Sequence, residues 1–391
     1  MFKKLIVILS MLLTVFIGFG LLIPVLPLMV KQIGASPLQL GLMLALYSVI
    51  ALLTSPLWGH LSDRVGRKPV LVAGLLGFAL SFLLFGLAEH MIWLMYVSRV
   101  IGGGFSGAVS ATAMAYIADV TGVEERTRGM ALAGAAIGMG FIIGPGVGGF
   151  LSHFGLRTPF FVAAALAVGN ALWGGLALRE APRDGARGGE ASLLQRRSWT
   201  LALAGSLKYL YFVEFVAQFA VSCLEGTFQY FEILKIGATA SEIGGMFFLS
   251  GLGAAIVQGG FVQRYVKHGK ELPVLFLGMS VSGLGLLLIL LSSNFWTAAL
   301  FMTVFSASNT LIRPLLTSLI TKQTKAGFGL ANGFLSSTDN LARIVGPIFA
   351  TALYQIHPSF PYLVTAGITF LGLSLLVIYR RRAAAQATLQ A

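Results

Sequence analysis

The sequence predicts an all-α membrane protein, with twelve transmembrane helices arranged as two pseudo-symmetric six-helix bundles. Three observations carry this. Of the 391 residues, 57% are hydrophobic and only 10% charged, whereas a soluble domain is about a quarter charged. Apolar stretches of about 20 residues, enough to cross a bilayer, recur twelve times. The remaining charge gathers in alternate connecting segments, the pattern of a polytopic protein.

The stretches lie near 5–30, 38–58, 69–88, 91–118, 129–152, 158–178, 203–230, 242–262, 273–292, 295–319, 328–352 and 358–379. The first follows Lys3 and Lys4 in the manner of a signal peptide. It is too long for one, however, and carries Pro24 and Pro27 in place of a small-residue cleavage site, so it reads as a retained helix. The second and third flank residues 59–71, GHLSDRVGRKPVL, read as a tight turn punctuated by Gly59 and Gly66, with Arg64, Arg67 and Lys68 around Asp63. The fourth holds Arg99 and ends at Asp119; the fifth carries GMGFIIGPGVGG at 138–149. The sixth precedes a charged, proline-containing break. The seventh contains Glu214 and Glu225, the tenth Arg313 and Pro314, and the eleventh Asp339 and Arg343.

That break is the expected interdomain linker, giving bundles over 1–180 and 201–380, a cytoplasmic linker over 181–200 and a cytoplasmic tail over 381–391. The halves echo each other. Gly144-Pro145 recurs as Gly346-Pro347 at an offset of 202, and PFFV at 159–162 matches PYLV at 361–364 at the same offset. Two matches at one spacing argue for duplication and parallel repeats. The loop at 59–71 has decayed in its second copy, where Arg264 stands in place of Asp63.

The net charge of +13 does not point to nucleic acid, because of where the cations lie. With the N-terminus inside, 21 of the 27 Lys and Arg fall in cytoplasmic segments. Three (Lys31, Arg157, Lys235) are external and three (Arg99, Arg313, Arg343) lie within spans. Both termini are therefore expected in the cytoplasm of a cell-membrane protein. The single cysteine, Cys223, supports no internal disulfide, and the five histidines form no metal pattern. No nucleophile–base pairing lies within the spans, so an enzyme is not expected.

Several residues stand out chemically. Glycines four apart in the fifth span let another helix approach closely, and Pro145 removes a backbone hydrogen bond and invites a bend. The string GGGFSG at 102–107 formally matches a dinucleotide fingerprint, but it sits mid-span without a preceding strand and reads as helix packing. Arg99, several residues inside a hydrophobic span, faces the bundle interior or snorkels to the outer headgroups. Asp119 is expected to join Asp63, Arg64 and Arg126 or Arg128 in an inner gate network. Glu225 has no cation within a turn in sequence. Burial disfavours the charged form of a carboxyl, which suits a group that loads and releases protons; the alternative is a half-solvated glutamate at the external helix end. Asp339 and Arg343 share a face at i, i+4 and read as a structural pair, with a moving switch pair as the alternative. Arg313 is expected to face the cavity of the second half.

These strings resemble the major facilitator superfamily. The loop at 59–71 is similar to that family's loop between helices 2 and 3, and SRVIGG around Arg99 to its helix-4 motif, whose arginine the resemblance implicates in proton transfer. The fifth-span string resembles the helix-5 motif of its drug:proton antiporters. GFGLLIPVLP at 18–27 and LIRP at 311–314 resemble the Gram-positive multidrug, quinolone-exporter branch, and the proton-coupling glutamate of that branch falls on Glu225. That branch's second coupling acid is Thr310 here, beside Asn309. Glu225 then acts alone, Asp339 substitutes, or the stoichiometry or cargo differs.

The resemblance implies proton-driven export of amphipathic drugs or other small organic compounds by alternating access. The alternative is a proton-coupled symporter or uniporter for a sugar, metabolite or lipid precursor. Expected partners are a small-molecule substrate, protons and the lipid bilayer, with no nucleic acid, no cofactor beyond the proton gradient, and a monomeric state. Expected proton-coupling residues are Glu225, Arg99 and Asp339, with Glu225, Arg313, Phe16, Asn309 and Gln218 at the substrate cavity. The cytoplasmic gate comprises Gly59, Asp63, Arg64, Gly66, Arg67, Lys68 and Asp119. Gly144, Pro145, Gly148, Gly346 and Pro347 serve bending and packing.

Overall fold

The computed structural model describes residues 2–88, 90–180, 206–262, 270–324 and 328–388. The linker at 181–200, Arg264 and residues 389–391 of the tail lie outside the described residues. Those described are almost entirely helical, without strands. In lipid no water satisfies backbone N–H and C=O groups, and a helix satisfies them within itself.

The first six spans are α1 (Phe2–Gln32), α2 (Pro37–Val65), α3 (Arg67–Leu87), α4 (Ile92–Val120), α5 (Val123–Leu151) and α6 (Thr158–Ala177). They are followed by α7 (Leu207–Ile236), α8 (Ala240–Ile256), α9 (Glu271–Ile289), α10 (Phe295–Asn309), α11 (Ile312–Gln323), α12 (Phe328–Ile356) and α13 (Phe360–Thr388). The tenth expected span is thus two helices. Pro314 has no N–H to offer the carbonyl four residues back, at Thr310, and the helix is interrupted at Thr310 and Leu311. Among the described residues, eleven helical segments are long and apolar enough to span a membrane, Phe295–Gln323 counting as one. The twelfth helix, α12, has the length at 29 residues but carries Asp339, Arg343 and a polar run before them.

The described residues divide into two compact units, Met1–Arg187 with Ala238–Phe248, and Gly188–Gly237 with Leu249–Ala391. In the first unit α1 packs on α5 and α6, α3 on α4 and α6, and α2 on α4. In the second unit α7 packs on α12 and α13, and α9 on α10 and α13. The pairings first–fifth, first–sixth, third–fourth and third–sixth span therefore recur as seventh–eleventh, seventh–twelfth, ninth–tenth and ninth–twelfth. The repeated strings sit on a repeated packing scheme.

The glycine positions explain the tightest of these contacts. A Cβ at Gly144 would lie 2.7 Å from the Ile17 carbonyl oxygen, and one at Gly148 2.5 Å from that of Leu21. In the second unit a Cβ at Gly346 would lie 2.7 Å from Ser222 Cβ. Both Pro145 and Pro347 lie inside continuous helices. Polar pairs add specificity where lipid gives no hydrophobic drive between helices. Ser81 and Ser98 exchange hydrogen bonds with each other's carbonyls at 2.9 and 2.8 Å, joining α3 to α4. Asn170 Nδ2 donates to Thr14 Oγ1 at 2.7 Å, joining α6 to α1.

The segment at 59–71 is not the turn expected from its sequence. Helix α2 continues through Gly59 to Val65 and α3 begins at Arg67, so Gly66 alone makes the reversal. Its φ of 116° and ψ of 157° fall in a region essentially restricted to glycine. The polar residues prolong the helix because Arg67 reaches back to Asp63 at 2.6 Å, an i,i+4 pair across the break. The Glu180 carboxylate, beyond α6, accepts from the Arg67 backbone N–H at 2.6 Å and occupies the space a side chain at position 66 would need. Replacing Gly66 with Ala is expected to destabilise the protein by about 1–3 kcal/mol through backbone strain, before any displacement of Glu180. A lowered melting temperature in detergent is the expected result, and an unchanged one would show that the turn tolerates a side chain.

Candidate transport site

Helix α7 is the chemical centre of the second unit. Three of the chain's 14 acids lie on it: Glu214, Glu225 and Glu232. Their spacings of eleven and seven residues keep all three within a narrow arc of one helix face. The helix runs to Ile236, further than its hydropathy suggests. Glu225 is therefore in mid-helix, against the alternative of a half-solvated glutamate at the external helix end.

Glu225 and Arg343 of α12 form a loose pair, Oε2 to Nη1 at 3.7 Å, with side chains 20% and 30% exposed. A cation absent from its sequence neighbourhood is thus supplied by a packed helix. Asp339 pairs instead with Arg313 of α11, whose Nη1 also stands 3.9 Å from Glu214 Oε1. The expected i,i+4 pair of Asp339 with Arg343 is corrected: each takes a partner on another helix. Close packing of α12 on α7 favours cross-helix partners over a surface pair.

The Arg313 cluster has uneven charge. Glu214 and Asp339 are both buried, and each keeps one oxygen, Oε2 and Oδ1 respectively, without a hydrogen-bond partner. One guanidinium balances one carboxylate. The second negative charge is costly out of water, and a proton on either carboxyl removes it. The cluster is therefore neutral with one proton bound and carries one net negative charge when that proton leaves.

Other expected cavity residues are placed variously. Asn309, at the end of α10, donates to the Ala217 carbonyl at 3.2 Å and to Ser282 Oγ at 3.4 Å, tying α10 to α7 and α9. Thr310 follows at the break. Gln218 lies one turn from Glu214, its Nε2 buried without a partner. Phe16 is in the first unit, its ring 5.2 Å from that of Phe141.

Arg99 on α4 is 1% exposed, so it does not snorkel. Its guanidinium lies 4.7 Å from the Phe85 ring centroid, 5.6 Å from Tyr47 and 6.0 Å from Phe82. Nε and Nη2 have no hydrogen-bond partner. Desolvated cation–π contacts, each worth up to about 2 kcal/mol, offset part of the burial cost.

The expected gate network centres on Arg67, and not on Arg64, Arg126 or Arg128. Arg67 bonds Asp119 at 2.9 Å as well as Asp63 at 2.6 Å. Arg126 donates to the Ala118 carbonyl at 3.0 Å. Arg64 and Lys68 flank the Gly66 turn, and Gly59 is inside α2. Glu180 and Glu232 were not singled out from sequence. The recurrence of Glu225 seven residues on, at Glu232, is a periodic signal that could have found the latter. Among the described residues no group of His, Cys, Asp and Glu is placed to hold a metal ion.

Comparison with known proteins places this geometry. The family model of the Major Facilitator Superfamily matches residues 8–265 and again 210–391. Multidrug resistance protein 2 of Bacillus subtilis (strain 168) is 31% identical over 381 residues, covering 96% of this chain and 95% of that protein. Quinolone resistance protein NorA of Staphylococcus aureus (strain COL) is 28% identical over 374 residues, covering 95% of each. The fold is shared with a bacterial homologue of the human lysosomal transporter Spinster, at a TM-score of 0.78 and 14% identity over 97% of this chain and 96% of that one. With the described helices in a repeated packing scheme, acids and cations inside the spans, and a family match that runs through both halves, the chain belongs to the Major Facilitator Superfamily and is a multi-pass membrane transporter, not an enzyme.

Proposed function

We propose that this transporter exports amphipathic drugs or other small organic compounds in exchange for protons, by alternating access, as a monomer and without a cofactor. The observation that carries the reading is the loose Glu225–Arg343 pair at mid-helix. A carboxylate held at 3.7 Å by one cation can release it and take either a proton or a cationic substrate. Competition between the two for one group is the simplest form of antiport. The named relatives, a multidrug and a quinolone resistance protein, support drugs as the cargo class. The distribution of cations supports cytoplasmic termini. In that orientation the Arg67 network is a cytoplasmic latch, and α7 runs from the cytoplasmic to the external face.

The reading also assigns a second proton site. Thr310 stands where a second acid is expected from the resemblance, and the Glu214–Arg313–Asp339 cluster brings an unbalanced carboxyl nearby in the same unit. Asp339 is the member assigned to coupling, since its pair with Arg313 bridges α12 and the broken span. Arg99 is assigned a supporting role in proton transfer. Arg313, Asn309 and Gln218 contribute to substrate contact alongside Glu225, and Phe16 is assigned to substrate contact in the first unit.

Two variants test these assignments in proteoliposomes with an imposed pH gradient and dye or quinolone substrates. Glu225→Gln is expected to abolish gradient-driven transport while leaving substrate exchange at equal pH intact; gradient-driven transport at the unsubstituted rate would remove Glu225 as the proton carrier. Asp339→Asn is expected to slow gradient-driven transport by about tenfold or more and to lower the number of protons moved per substrate. An unchanged proton-to-substrate ratio would limit Asp339 to holding Arg313.

A further inference from the structure

Glu232 is a buried carboxyl that the exchange reading does not use. It lies four residues from the end of α7 and is fully buried. Ser292 Oγ, in the connection after α9, lies 2.9 and 3.1 Å from its two oxygens. One hydroxyl carries one proton, so it donates a single hydrogen bond to this carboxyl. Lys235, on the same helix, sends its ammonium to the Leu290 carbonyl. Tyr362 of α13 packs on Phe231, the residue before Glu232, with ring centroids 4.8 Å apart, and Tyr354 of α12 packs on Tyr230 at 5.8 Å. Among the described residues no arginine or second carboxylate pairs with Glu232.

The stretch between Glu232 and Glu225 is unusual in its polar content. Seven residues on one helix face separate the carboxyls by about 10 Å along the axis, too far for direct transfer. Gln229 lies between them: its Nε2 donates to the Glu225 backbone carbonyl at 3.0 Å, while its Oε1 is buried without a partner. The Tyr230 hydroxyl is likewise buried and unpartnered, whereas the Tyr362 hydroxyl faces Thr227 and Thr365 Oγ1 faces Cys223. Nearly all buried polar atoms find a hydrogen-bond partner, and those that lack one in the protein bind bridging water. Gln229 Oε1 and the Tyr230 hydroxyl, on successive residues of α7 between the two carboxyls, mark a wettable path.

We propose that Glu232 is a relay through which protons pass between the external face and Glu225. The proposal rests on the proton-exchange reading and on the orientation that goes with it. As a carboxylate, Glu232 takes a proton from external water. It then passes a proton by way of bridging water beside Gln229 to the Glu225 carboxylate and returns to its charged form. One proton moves and no bond between heavy atoms changes.

A strut holding the end of α7 to Ser292 would use the same contact, and the test separates the two roles. In Glu232→Gln the amide oxygen still accepts from Ser292, but the side chain no longer carries a proton. Reconstituted in liposomes with a dye substrate, this variant is expected to slow pH-gradient-driven transport by about tenfold or more. Exchange at equal pH should stay at the unsubstituted rate, and Glu232→Asp should recover part of the coupled rate. Coupled transport by Glu232→Gln at the unsubstituted rate, with Glu225→Gln uncoupled alongside it, would overturn the relay alone. Loss of exchange in Ser292→Ala, with Glu232→Gln unimpaired in both exchange and coupled transport, would overturn it in favour of a strut. If the unsubstituted protein ignored the gradient altogether, the exchange reading would fall and the relay with it.

Discussion

Placing charge inside a lipid-embedded bundle is the constraint on which the rest of this structure depends. A charged side chain in a span is tolerated when it faces the protein interior and finds a partner there. The second unit meets that requirement with partners drawn from different helices: Arg343 reaches Glu225 from α12, and Arg313 stands between Glu214 and Asp339 from α11. Movement of α11 or α12 relative to α7 would therefore change the partners of Glu214 and Glu225, and protonation would in turn change which arrangement is stable.

The packing of small residues makes that cross-helix pairing possible. Gly346 sits against Ser222, and a Cβ at Gly226 would be 3.4 Å from Pro347 Cα, so α12 lies close along α7. Further along, Tyr230 and Tyr354 meet with ring centroids 5.8 Å apart in the same register. Arg343, one turn before Gly346, is held within reach of Glu225 by this contact. The first unit uses the same device, with Gly144 and Gly148 of α5 against α1. There the buried cation, Arg99, sits among aromatic rings and not opposite a carboxylate. Duplication has preserved the scaffold while the electrostatics of the halves have diverged.

Much of the architecture was legible in the sequence because lipid imposes a simple rule: an apolar run of sufficient length must be a helix. The repeats at Gly144-Pro145 and Gly346-Pro347 likewise foretold the paired packing. Three features were not legible. The helical continuation through residues 59–65 depends on Arg67 reaching Asp63 across Gly66, a contact that charge counting does not reveal. The partners of Asp339 and Arg343 depend on neighbouring helices, which periodicity on one helix does not specify. Glu180 follows a span in an unremarkable charged segment, and only folding brings it to the start of α3. Helix identity is a local property of the chain, whereas partner choice is a property of the assembled bundle.

The central claim is that a proton and a substrate compete for the carboxyl of Glu225. The most direct measurement is proton release on binding, made with purified protein in weakly buffered detergent solution titrated with a cationic dye. The account expects release of about one proton per dye bound, since linkage makes the competition reciprocal, and no release from Glu225→Gln. Dye binding without proton release from the unsubstituted protein would contradict it.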